Sequence, residues 1–251
     1  MTHSFLLIGQ SNMAGRGFLS EAEPLDTCGG RLKVLRNGRW QEMFRPVCLD
    51  RPWAGSCLAE SFAKAYAESH PGVDVGIIPC ADGGTSLDQW APGDLLFDHA
   101  IACARLAMRT SRLVGILWHQ GESDCPNDLC PHYREKLKSL LPALRKALEL
   151  PNLPILLGGL GDFLVNGPKE FDLYNYDRIN ADMQQVVRDT HNTAFVPATG
   201  LGSNPDKLHF SAAALKEFGL RYYAALCGLT LSVNDATTAE TDSKRSSMEL
   251  L

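Results

Sequence analysis

Short apolar runs bounded by Gly and Pro alternate along this chain with longer segments whose apolar residues recur every three to four positions. The short runs read as buried strands. They are Ser4 to Ile8, Val73 to Cys80, Leu113 to Trp118, Leu153 to Gly158 and Thr193 to Val196. The longer segments read as helices. Ala59 to Ser69 places Phe62, Ala63, Tyr66 and Ala67 on one face and stops at Pro71-Gly72. Phe97 to Arg109 carries Ile101, Ala104 and Met108, and Tyr176 to Arg188 carries Ile179, Met183 and Val186. Tyr133 to Leu150 is a fourth, with Pro142 predicted to kink or split it. Ser211 caps a last helix, Ala212 to Leu226. Leu32 to Leu35 and Arg39 to Met43 flank Asn37-Gly38, a hairpin signal, and this ribbon is expected outside the main sheet. The alternation predicts one α/β domain over residues 1–230, a five-stranded parallel sheet with helices on both faces. Beyond it the composition turns polar and rich in Ser, Thr and Asp, so residues 231–251 read as a disordered tail.

Composition narrows the function classes. The 251 residues are 45% hydrophobic and 21% charged, with a net charge of -5. That balance, with no basic block interleaved with aromatics, excludes a nucleic-acid surface. No apolar run approaches membrane-spanning length. The N-terminus lacks the basic and long apolar regions of a signal peptide, so a cytoplasmic location is expected. In that setting the eight cysteines read as reduced thiols, with Cys80 and Cys103 as small core residues. Cys125 and Cys130, with His132 beyond, have a spacing at the edge of zinc sites, but no second pair completes it. Neither a metal nor an organic cofactor is expected.

The candidate chemistry gathers at strand ends. Gly9-Gln10-Ser11-Asn12-Met13-Ala14-Gly15 follows the first strand and puts Ser11 at the carboxyl edge, where open α/β sheets bind ligands. Ser11 is either a turn residue or a nucleophile. Gly83-Gly84, His119-Gln120-Gly121-Glu122 and Asp206-Lys207-Leu208-His209 fall at the same edge. Acyl transfer through serine needs a base, a carboxylate that orients it and donors for the oxyanion. Asp206 and His209, three apart, can pair locally and leave Nε2 for Ser11. The backbone N–H groups of Ser11 and Gly84, with the Gln120 amide, can supply the donors. The bland readings are a helix-capping Asp-x-x-His, a plain Gly turn, satisfied polar groups at Gln120 and Glu122, and a structural His119. His3, His70, His99 and His191 read as solvated. Trp53, Trp90 and Trp118 either stack on a ligand ring or anchor core and loops. Met13 stands where the Gly-x-Ser-x-Gly elbow of α/β-hydrolases needs Gly, which sets that fold aside.

Taken together, Gly-Gln-Ser-Asn-Met, Gly-Gly-Thr-Ser, His-Gln-Gly-Glu-Ser-Asp and the late Asp-x-x-His resemble the sialate O-acetylesterase-type SGNH hydrolases, relatives of carbohydrate esterase family 6. The resemblance spans Ser4 to Leu226. It implies a three-layer flavodoxin-like fold and removal of acetyl groups from sugars, O-acetylated sialic acid foremost. It assigns Ser11 as nucleophile, His209 as base, Asp206 as its partner, and Ser11, Gly84 and Gln120 as the oxyanion hole. Gly83 stays open as the alternative to Gly84. Glu122 lies in the motif without a fixed role: it orients His119 or a loop, or replaces Asp206 as partner of His209. Arg16 meets a sialate carboxylate or forms a structural ion pair. The expected partner is an acetylated sugar. The rival readings are an acetylxylan or general short-chain esterase, a lysophospholipase, and a non-catalytic carbohydrate-binding module.

Overall fold

The computed structural model describes residues 1–229; the expected tail, 231–251, lies outside the described residues. At its centre is β1 (Thr2–Gly9), whose residues from Ser4 onward are all buried. Phe5, Leu6, Leu7 and Ile8 are fully enclosed, each adding about 1.5–3 kcal/mol over its exposed state. Such burial requires cover on both faces. Leu6 and Ile8 face a cluster built with α3 (Leu95–Met108), α4 (Tyr133–Leu148) and α5 (Tyr176–Asp189). Phe5 and Leu7 face the opposite cluster, built with α2 (Leu58–Ser69) and the last helix, α6 (212–229).

The remaining strands are β2 (Leu32–Arg36), β3 (Arg39–Glu42), β4 (Asp74–Pro79), β5 (Ser111–His119), β6 (Ile155–Gly158) and β7 (Thr193–Val196). They form one seven-stranded sheet in the order β3-β2-β4-β1-β5-β6-β7, parallel except for the β2–β3 pair. The expectation of five strands is therefore corrected to seven. The hairpin does not stand apart: β2 pairs with β4 through Leu32↔Val75 and Val34↔Ile77. Its apolar alternation explains this, because Leu32 and Val34 enter one core cluster while Leu35 enters the other. Trp40 of β3 lies over Gly76, where any side chain would collide with its ring. Pro142 does not split α4, which runs continuously from Tyr133 to Leu148.

Without the hairpin, the order β4-β1-β5-β6-β7 is the flavodoxin-like 2-1-3-4-5 arrangement. The chain leaves β1 toward one side and returns to β5 on the other. The crevice at the carboxyl ends of β1 and β5 is the topological switch point, and it places the loops after β1, β4 and β5 together.

Candidate active site

The turn after β1 depends on Gly9, at φ +127°, where a Cβ would sit 2.0 Å from the His119 carbonyl oxygen. Only glycine lets β1 approach β5 this closely. The chain then enters the single-turn helix α1 (Ser11–Ala14). Met13 and Ala14 donate to the Gln10 carbonyl, while the Ser11 N–H, at the first position, has no intrahelical acceptor. His209 Nε2 lies 3.0 Å from Ser11 Oγ, and its Nδ1 lies 2.7 Å from Asp206 Oδ2. The other Asp206 oxygen accepts the backbone N–H groups of Leu208 and His209, each at 3.0 Å. Partial burial acts to raise the Asp206 pKa, but the His209 side chain and the two backbone donors outweigh it and hold the carboxyl below its ordinary value.

The loop after β4 treats its two glycine N–H groups differently. The Gly83 N–H bonds Asp50 Oδ2 at 3.0 Å. Gly84, at φ +75°, keeps its N–H without a protein partner and lines the same cleft as Ser11. Asp50 is fixed by Arg16, whose guanidinium grips it at 3.1 and 2.6 Å with both side chains buried. Arg16 is thus the structural ion pair of the two sequence readings, and it steadies the Gly83-Gly84 turn from below. Arg51 clamps that turn from outside, at 2.8 Å to both Asp82 and the Gly83 carbonyl.

Gln120 departs from expectation. It is completely buried, and its amide donates to the Thr85 carbonyl at 3.1 Å and to Asp124. Both amide hydrogens are engaged there, and Gln120 is not among the residues that line the cleft with Ser11. Asp124 needs the bond, since burial pushes its carboxyl up and the Gln120 and Leu87 donors counter it. Glu122 is also not the partner of His209. Its Oε1 accepts from Asn12 Nδ2 at 2.5 Å and stands 3.8 Å from His119 Nδ1. His119 is enclosed between Phe210 and Phe218 and is held neutral by burial, a structural residue.

Two residues beside Ser11 were missed. Asn12 donates to the Leu208 carbonyl at 3.2 Å and accepts the Phe210 N–H at 3.0 Å, so it grips both neighbours of His209. Gln10 accepts the N–H groups of Gly121 and Ser123 at 3.4 and 3.3 Å and ties the Ser11 turn to the loop after β5. Their signal was adjacency: polar side chains in a tight turn behind a buried strand must find backbone partners.

Ser11, Gly83, Gly84, Glu122 and His209 line a cleft of about 550 Å³, which Arg51, Trp53 and Phe171 also line. Trp90 and Trp118 are core residues, whereas Trp53 is 70% exposed at the cleft mouth. A larger cavity of about 790 Å³, lined by His3, Met108 and Tyr223 among others, contains none of these residues.

Residues 1–227 match the family described as carbohydrate esterase, sialic acid-specific acetylesterase. The chain belongs to this family. As such it is a carboxylic-ester hydrolase of the carbohydrate acetylesterase type. The esterase is 28% identical over 237 residues to the probable carbohydrate esterase At4g34215 of Arabidopsis thaliana, covering 86% of each chain. The solved structure of that plant protein superposes with a TM-score of 0.80 at 25% identity, over 90% of this chain and 98% of the other. The esterase also shares its fold with NanS, at TM-score 0.70 and 17% identity over 92% and 98% of the two chains. A carbohydrate acetylesterase of Xanthomonas citri aligns at TM-score 0.65 and 18% identity over 88% of this chain and 55% of its own. Among the described residues no helix is long and apolar enough to cross a membrane.

Proposed function

We propose that the esterase removes acetyl groups from O-acetylated sialic acid through an acetyl-enzyme on Ser11. The observation that carries this reading is the unbroken chain Asp206–His209–Ser11, at 2.7 and 3.0 Å, opening into the cleft. Ser11 Oγ attacks the acetyl carbonyl carbon while His209 Nε2 takes its proton. The tetrahedral oxyanion lies against the N–H groups of Ser11 and Gly84. The carbon–oxygen bond to the sugar breaks, and the sugar hydroxyl leaves with the proton from His209. Water, deprotonated by His209, then attacks the acetyl-enzyme and releases acetate. The eight free thiols fit a reducing compartment, which supports cytoplasmic work on free sugars rather than on polymer.

One observation favours a second substrate class. Both arginines at the cleft are paired with carboxylates, Arg16 with Asp50 and Arg51 with Asp82, and Glu122 and Glu170 also line it. That charge balance suits a neutral acetylated sugar such as a xylo-oligosaccharide better than a sialate carboxylate. Acetate release from O-acetylated sialic acid and from acetylated xylo-oligosaccharide, by wild type and Ser11→Ala side by side, separates the two. Release from sialate by wild type alone supports the proposal. Release from xylo-oligosaccharide alone replaces the substrate, and equal release by both variants removes Ser11 from the chemistry.

A further inference from the structure

Cys80 and Cys103 read from sequence as core residues, and His99 as a solvated one. The fold brings the three together. Cys80 follows directly on β4, and its N–H continues the ladder to the Leu7 carbonyl at 2.9 Å. His99 and Cys103 lie four residues apart on α3, hence on one helical face. Among the described residues these are the three whose possible ligand atoms converge, all within 4.8 Å of one another. The Cys125, Cys130 and His132 segment forms no such group.

We propose that Cys80, His99 and Cys103 form a zinc site that clamps α3 to the end of β4. A tetrahedral Zn²⁺ with two thiolates and one imidazole places neighbouring ligand atoms ~3.5–3.8 Å apart. The Cys103 Sγ to His99 Nε2 distance is already 3.7 Å. Drawing the remaining pairs together from within 4.8 Å requires at most ~1.3 Å of side-chain adjustment. Two sulfurs and one imidazole nitrogen form a soft set that selects zinc over magnesium or calcium. Cys80 is buried, Cys103 partly so and His99 exposed, so the ion enters from solvent and keeps a fourth position for water. Binding releases the two thiol protons to solvent and converts thiols to thiolates. The site holds none of the cleft residues, so it stands independently of the substrate proposed above.

The test titrates reduced, metal-free, full-length protein with Co²⁺ and then Zn²⁺. One equivalent of Co²⁺ is expected to produce a thiolate charge-transfer band in the near ultraviolet, which Zn²⁺ then abolishes. Zn²⁺ is expected to raise Tm. His99→Ala and Cys103→Ser, both on the accessible face of α3, are each expected to weaken Zn²⁺ binding at least ~10-fold. Cys227→Ser is expected to leave it unchanged, and His99→Ala to leave acetate release unchanged. Absence of the thiolate band, or wild-type Zn²⁺ affinity in both His99→Ala and Cys103→Ser, overturns the site. Because Cys80→Ser places a hydroxyl in a packed interior, its result is read only beside circular dichroism of the same sample.

Discussion

Asn12→Ala isolates how His209 is held. Asn12 is 1% exposed and makes three bonds: to Glu122, to the Leu208 carbonyl and from the Phe210 N–H. Losing the two backbone bonds removes about 1 kcal/mol each. Glu122 is 3% exposed and one of its oxygens already has no partner, so the substitution strips the other and adds about 1–3 kcal/mol. The sum is about 3–5 kcal/mol, a large part of a typical domain's 5–15 kcal/mol. The catalytic effect follows from geometry. Leu208 and Phe210 flank His209, and releasing both lets Nε2 drift from Ser11. A displacement near 1 Å costs about 10²-fold in rate. Urea unfolding and acetate-release kinetics on the same variant read both effects. Glu122→Gln, which keeps an acceptor for Asn12, is expected to retain most of the activity. Asn12→Ala with kcat within ~3-fold of wild type and stability within ~1 kcal/mol refutes the buttress.

Gln120→Ala separates the Gln120 of the sequence reading from the Gln120 of the structure. It is expected to lower stability by about 1–3 kcal/mol, because buried Asp124 loses a donor, with kcat changed less than ~3-fold; a 10²–10³-fold loss of kcat restores it as an oxyanion donor. The depressed Asp206 pKa means its pair with His209 stabilises the fold fully above the ordinary carboxyl value of 3.8 and is lost as pH falls through the folded value. Carboxyl NMR titration of Asp206 is expected to show a midpoint below 3.8, and a midpoint above it contradicts the hydrogen-bond geometry. Trp53→Ala is expected to raise KM for sugar esters about 3–10-fold while leaving turnover of a small aryl acetate unchanged, the outcome if this exposed ring lining the cleft stacks on the sugar; an unchanged KM shows that it does not.

Periodicity carried the architecture well where burial is two-sided. The run from Ser4 to Ile8 is continuous because helices cover both faces of β1, and the helical segments matched wherever one stripe faces the sheet. The hairpin was misplaced because Asn37-Gly38 reports the turn and not the parallel pairing of β2 with β4, a contact across about forty residues of sequence. That the side chains of Ser11, Asp206 and His209 meet was legible, because two of them are local and the third sits at a strand end. Gln120 was not, because motif position fixes the backbone and not the rotamer; its longer side chain reaches Thr85 and Asp124 in its own loop. Arg16 and Asp50 lie thirty-four residues apart in irregular chain, so no spacing announced their pairing. The convergence of Cys80 with His99 and Cys103 likewise joins a strand end to a helix face that only the folded chain brings together.

In the proposed mechanism Ser11 carries the acetyl group between the two half-reactions. Wild type quenched during turnover of an acetylated sugar and mapped by peptide mass spectrometry tests it directly. An acetyl group is expected on the peptide containing Ser11, and none on that peptide in Ser11→Ala, which also releases no acetate. Turnover by Ser11→Ala at the wild-type rate, or an acetyl group trapped on a different residue, contradicts it.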